Sequence, residues 1–515
     1  MQTTHKTYLN MNDMKVVARY FESLADFVTL GKVCPYYRHV MTEIESNPFP
    51  IDRKTLKAFP ALTTLNIWNT YDEHFGNSPF APRDGIADCA QKKEVFSLKK
   101  IFFPQEYKRE TSKVDFSKIR VYYEVDYTTY RRNCDEDAKY EYHNVVLEKD
   151  DVVICDETIP DVVRAVKSHC FENNTTLRSV VVPLKVTSLD QHVFSGCSNL
   201  SAISLPNALC DISTSCFQNC VRLEEINIPP LVTSIDANAF DSCSRITRIS
   251  LPSAVSFLNG STFANCVSLC AIDISGVVAL GEKCFYNCRS LSDVRVAVLT
   301  RVEKECFCGC EKLSVLCKLA EQQSLKASTF ERCSLLTSIE LCGNFSTIED
   351  HCFESCVSLQ AVTFEKMCRL VKIGDSAFSN CKQLKCANLP QTVTSLGRKC
   401  FSCCDTLSAV TLPSLITELK QETFNECISL QHIVVPQSVN AIWASCFFNC
   451  KALCDVTLPH KAIYLADKCF VGCQHLTRVV IHKDTKPFDD SYYNTNYTTV
   501  VRLDTLAMLT AHNNK

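Results

Sequence analysis

Along most of the chain a short run of alternating apolar and polar residues ends at a proline and returns in the same order about one coil later. Phenylalanine marks the frame. Fourteen of them, from Phe171 to Phe470, stand 23 residues apart, save two steps of 22 (Phe263 to Phe285 to Phe307) and one of 25 (Phe353 to Phe378). Three residues after each Phe from Phe194 onward stands a cysteine, from Cys197 to Cys473. Six after it comes Leu, or Ile at Ile246, and nine and eleven after it come mostly Ile, Val or Leu, as in Ile226 and Ile228. A proline often follows, as at Pro206, Pro229 and Pro436, and five before each Phe is usually another aliphatic, such as Ile235 or Leu396.

The physics of this pattern is direct. Alternation over LxxIxLP predicts a short strand with one buried face. Proline then ends the pairing. The segment around CFxxC, with Phe and Cys inward, predicts the return turn. One coil cannot bury its apolar side alone, so coils must stack, about 4.8 Å apart where their parallel strands pair.

A family resemblance follows from these residues. The motif LPxxVTSIxxxAFxxCxxLxxIxLP, read from Leu389-Pro390 to Leu412-Pro413 with Cys400 in place of the Ala, resembles the BspA-like leucine-rich repeat of bacteria and protists. The match runs from about Val163 to Ile481, and the chain is similar to members of the protist type. The resemblance implies an α/β repeat solenoid: a curved leucine-rich-repeat array with short parallel strands on one face, capped by an N-terminal helical segment and used for protein binding. It transfers no catalytic residue.

The flanks read differently. Met14, Val17, Phe21 and Leu24 form one helical stripe behind Asn12-Asp13, Phe27, Leu30 and Val33 a second behind Asp26, and Tyr37, Val40, Met41 and Ile44 a third behind Pro35. This triplet ahead of the repeats resembles the F-box, which implies a Skp1-like linker as partner at the N-terminus; a plain helical cap is the other reading. Leu62, Leu65 and Ile67 have the spacing of a repeat strand. Residues 70–115 read as a loop or insertion, Ile119 to Tyr127 as a half-exposed strand, Arg131 to Lys139 as a solvated loop, and Leu503 to Leu509 as a short helix. The expected organisation is a helical segment over 1–50, an irregular repeat-like region over 51–158, about 14 coils over 159–482 and a C-terminal cap over 483–515.

Composition narrows the partners. A net charge of −3 and a pI near 6.5 do not favour nucleic acid or an anionic membrane. Met1 to Met14 lack an apolar core, and no run of apolar residues is long enough for a spanning helix, so the expectation is a cytoplasmic chain without membrane insertion, its thiols reduced. The 34 cysteines include CxxxC pairs such as Cys216/Cys220 and Cys284/Cys288. Zinc is one reading of that spacing. Core packing is preferred, because the first position alternates with Ala239, Thr262 and Val193. His192, His351, His432 and His475 read as solvated residues. No phosphate loop, zinc-protease or calcium-loop motif occurs. No catalytic, metal or cofactor residue is therefore assigned.

The expected function is a non-catalytic protein-binding scaffold, a ubiquitin-ligase substrate adaptor in its more specific form; the alternative is a surface or secreted adhesin binding host or matrix proteins. The ligand is expected on the strand face. There the outward residues, eight and ten after each Phe, are small or weakly polar in several coils, and between Leu223 and Leu341 they are more often charged. That stretch also holds both 22-residue coils, lacks the strand-ending proline after Pro252 and places Lys318 at an inward position. The candidate protein-binding residues are Glu225, Asn227, Arg248, Asp273, Asp293, Arg295 and Glu340.

Overall fold

The structure, a computed structural model, describes residues 9–77, 113–134, 139–297, 299–314, 324–341, 345–364, 368–461, 463–487 and 499–503. The chain divides into two compact units, one of Met1–Asp156 with Val162–Ala165, the other of Glu157–Asp161 with Val166–Lys515.

The second unit is the expected repeat solenoid. Strands such as Ala202–Ser204, Arg248–Ser250, Ala409–Thr411 and Asp455–Thr457 form a first row, paired parallel to the equivalent strand of the next coil. Their middle residues, Ile203, Ile249, Val410 and Val456, point inward, and their flanking residues point out or lie half-buried. A second row, which the alternation did not predict, consists of two-residue strands just before each return turn. Asp211–Ile212, Ser234–Ile235, Phe257–Leu258, Ala279–Leu280 and Arg301–Val302 make one five-stranded parallel sheet of it. Each contributes only one inward aliphatic, too short a run for alternation to reveal.

The strand-ending proline has a visible task. Its carbonyl accepts from the amide three residues on, as in Val232 N to Pro229 O at 3.1 Å and Val439 N to Pro436 O at 3.0 Å, closing the turn that leads to the second row.

The return turns carry the core. All thirteen successive phenylalanine pairs stack almost parallel: Phe194 on Phe217 at 5.6 Å and 4°, Phe307 on Phe330 at 5.7 Å and 2°, Phe447 on Phe470 at 5.5 Å and 1°. The cysteine three residues later is tied to the same ladder. Its Sγ donates to the carbonyl of the preceding coil's Phe, from Cys197 to Phe171 O at 3.1 Å through Cys333 to Phe307 O at 3.2 Å to Cys473 to Phe447 O at 3.0 Å. Alanine or valine, the apolar residues nearest in bulk, could occupy the space but could not donate to that buried carbonyl, which favours a thiol there. The ladder cysteines are free thiols, and burial pushes those such as Cys197, Cys243 and Cys333 up, Cys197 to about 12.

Two residues per turn adopt left-handed backbone, at two before and two after each Phe, as at Ser215 (φ 53°) and Asn219 (φ 60°) around Phe217. Asn, Ser and Gly are common there, for the expected steric reason. Arg332 (φ 60°) is one of the costly exceptions. Arg332→Gly is expected to raise stability by about 0.5–1 kcal/mol, measurable as a higher denaturation midpoint.

In the first unit the helices are Met11–Ala18, Leu24–Val33 and, after a 3-10 turn at Pro35–His39, Val40–Glu43. Asn10 rather than Asn12 caps the first, accepting from Asp13 N at 2.8 Å, and Ser23 with Asp26 forms a capping box on the second. Parallel strands Thr64–Ile67, Lys118–Val121 and Tyr140–Tyr142 follow. Where the sequence predicts a loop from Arg131, a helix spans Tyr127–Cys134. Its first amides donate to the buried carboxylate of Asp151, Thr128 N at 3.0 Å, and Asp126 accepts from Thr129 N at 2.8 Å. Asp126 is a local capping signal, whereas Asp151, more than twenty residues away, leaves none. Residues 78–112, Lys318 and the 504–509 segment lie outside the described residues.

Candidate functional site on the first strand row

All seven candidate residues stand exposed in the second unit, on or beside the first row: Glu225 and Asn227, Arg248, Asp273, Asp293 and Arg295, and Glu340. Strand register brings several together. Arg248 pairs with Ala271 and Ala271 with Asp293, which sets one column; Ser250, Asp273 and Arg295 set the next. Arg295 Nε lies 4.0 Å from Asp293. Hydrogen bonds from Ser275, Oγ at 2.6 Å and N at 3.0 Å, hold the Asp273 carboxyl below the usual range, with Arg295 adding to the effect. Glu340 sits apart, on the strand Ser338–Leu341 that pairs only with Ala361–Phe364 among the described residues. The charged face is thus a mixed-sign patch centred on three coils, with Glu340 outside it.

The structure adds a feature that the pattern of charges did not show. The first row is divided between Glu225–Ile226 and Arg248–Ser250, as it is again between Ala361–Phe364 and Cys386–Asn388: the strands at 179–181, 202–204 and 225–226 form one sheet, and those at 248–250, 271–273 and 293–295 another. At this division lies a groove of about 400 Å³ lined by Asn207, Asn227, Ile228, Pro230, Ser250 and Leu251, among others. The local sequence accounts for it. This coil carries Pro229-Pro230, two successive residues with no N–H, and its strand is cut to two residues. The paired proline was the available signal. The groove joins apolar walls to side-chain amides and hydroxyls next to the charged columns, a mixture that suits a polypeptide ligand.

A BspA type leucine rich repeat region, in six copies, matches residues 164–292, 261–385 and 371–499, more than half of the chain. The chain belongs to the BspA-type leucine-rich-repeat family. That repeat is a non-catalytic scaffold. Comparison with the curated proteins finds no match. Among solved structures, a leucine-rich repeat protein from Bacteroides ovatus is 24% identical with a TM-score of 0.55, over 72% of this chain and 89% of that one. A leucine rich cell surface protein from Faecalibacterium prausnitzii is 21% identical with a TM-score of 0.34, over 76% and 89%. The pneumococcal vaccine antigen PcpA is 19% identical with a TM-score of 0.39, over 56% and 82%.

The expected cytoplasmic location is corrected here: the Faecalibacterium prausnitzii protein that this chain is similar to is named a cell surface protein, and none of the three structures is named a cytoplasmic one. The buried ladder thiols are packing residues, so their number carries no information on location. No helix among the described residues is long and apolar enough to cross a membrane.

Proposed function

We propose that this BspA-type chain is a binding protein of the adhesin kind, which holds a protein ligand on its first strand row from Glu225 to Arg295. The observation that carries this reading is the coincidence of the divided row, its groove and the mixed-sign columns within neighbouring coils. A repeat array presents its ligand surface as a row of equivalent positions, and departures from the repeat mark where that surface has been adapted. Glu225, Asn227, Arg248, Asp273, Asp293 and Arg295 would meet the ligand; Glu340 would meet only a ligand long enough to pass the intervening coil.

The adaptor reading has less to stand on. A partner-binding face was expected from Phe21, Leu24, Phe27, Leu30 and Val33. Phe27 is instead buried, with its ring 4.8 Å from Phe21 and 5.7 Å from Phe59, and Leu24 and Leu30 pack on the same core. Only Val33 of the five is well exposed, at 78%. Most of the stripe is spent on folding the first unit.

The test is a charge reversal. Arg248→Glu combined with Arg295→Glu alters two exposed side chains and is expected to leave the thermal midpoint nearly unchanged. Loss of the two positive charges is expected to weaken capture of a protein ligand from surface or matrix extracts by at least about tenfold. Arg301→Glu, on the second row, is the control and should bind as the parent does. Equal binding by all three proteins would refute the site.

A further inference from the structure

The return turns hold one side-chain cluster that the protein-binding reading does not use. His169 and His192 occupy the same repeat position, two before Phe171 and Phe194. Both are left-handed, with φ of 61° and 59°, and both amides are held by the ladder, His169 N on Gln191 O at 3.1 Å and His192 N on Thr214 O at 3.0 Å. Equal backbone on adjacent coils puts the two imidazoles on the same side of the stack, with ring centroids 4.8 Å apart and planes 8° apart. Glu172, one residue after Phe171, brings Oε2 to 3.1 Å from His169 Nδ1. All three side chains are half-buried, and one donor atom from each lies within 4.8 Å of the others.

We infer that His169, Glu172 and His192 form a binding site for a transition-metal dication, with zinc as the best fit. Two imidazoles and one carboxylate are the donors that zinc takes in sites with an open position, whereas calcium and magnesium require oxygen donors throughout. Zinc bonds of about 2.0–2.2 Å set donors about 3.3–3.6 Å apart in a tetrahedron. Donors that already stand within 4.8 Å must close by about 1.2–1.5 Å, and the two near-parallel imidazoles must tilt toward each other, to reach that spacing; the part-exposed position leaves the fourth place to solvent or to a donor from another molecule. The rigid ladder beneath the histidines supplies the preorganisation that a surface pair on a loop would lack.

The chain contains its own comparison. His351 and Glu354 repeat the same pair around Phe353 and are in contact. The equivalent positions on the neighbouring coils are Ser328 and Ser376, so a second imidazole is missing. The geometry therefore assigns zinc to the first pair and not to the second.

Calorimetric titration of the full chain with zinc chloride, under reducing conditions, tests this. One zinc per chain is expected at micromolar affinity. His192→Ser is expected to weaken it by more than about 100-fold, since even the loss of an outer-shell partner costs 10- to 100-fold. Serine stands at the same position one coil later, at Ser215 with φ 53°, so the variant suits the backbone, and an unchanged thermal midpoint would verify that it folds. His351→Ser should bind as the parent does. The inference is overturned if the parent binds no zinc in this range, or if His192→Ser binds equally. Cobalt substitution adds a second readout: a spectrum dominated by thiolate charge transfer would move the site to the cysteines and overturn it as well.

Discussion

Phe307→Ala is expected to cost about 3–5 kcal/mol, the range for removing a fully buried aromatic ring. The position is deliberately central. Phe307 stacks on Phe285 at 5.5 Å and on Phe330 at 5.7 Å, and its carbonyl takes the thiol of Cys333. A coil array is held by nearest-neighbour contacts, so the loss falls on two interfaces at once. The expected signature in a denaturant titration is a second transition or a lowered slope, because the coils on either side no longer unfold together. Phe171→Ala, at the first ring of the stack, should cost less. Equal effects at both positions would show that the rings act singly and that the ladder is not the unit of stability.

The second large effect is in the thiols. Desolvation lifts the ladder thiol of Cys197 and the neighbouring Cys469 from an ordinary value near 9 to about 12, and raises ladder cysteines such as Cys220, Cys243 and Cys333 as well. Three units mean about a thousandfold less thiolate at neutral pH. Among the cysteines whose burial is described, alkylation of the folded protein should therefore stop after the exposed Cys210, Cys386 and Cys454 and the half-buried Cys34, Cys270 and Cys403, while the denatured chain exposes all 34. The same shifts fix a pH dependence. The folded pKa lies above the unfolded one, so the stabilisation is complete below about pH 9 and is lost as pH rises from there toward 12. Each such thiol contributes a slope of about 1.4 kcal/mol per pH unit in that window, and many act together. Unfolding midpoints measured in reductant should be flat from neutral pH to about 9 and then fall steeply. A flat profile to pH 11 would contradict the burial of the ladder.

The sequence made the ladder legible because Phe and Cys recur in a register that chance does not keep. It made the first strand row legible because Ile226-Asn227-Ile228 and its equivalents alternate. The second row was hidden: Ser234–Ile235 is two residues long and offers one buried side chain. The left-handed residues were readable in principle from Asn219, Asn265 and Gly309, but Arg332 and Glu426 at the same position blur the signal. The helix at Tyr127–Cys134 depends on Asp151, and the fate of Phe27 depends on Phe49 and Phe59, contacts distant in sequence. As for the candidate site, charge at the outward positions was visible, whereas the groove lies at a break in pairing beside Pro229-Pro230 that alternation cannot express. The pairing of His169 with His192 follows from the repeat register, yet each histidine taken alone looks like an ordinary surface residue.

The central claim, that ligand is held on the first strand row beside the divided sheet, is tested most directly by photocrosslinking. A photoreactive amino acid is placed at Asn227, in the groove, or at Phe257, exposed on the second row, and the protein is irradiated with a ligand captured from surface or matrix extracts. The account predicts a crosslinked product from position 227 and none from position 257. Crosslinking from 257 with none from 227 would contradict it.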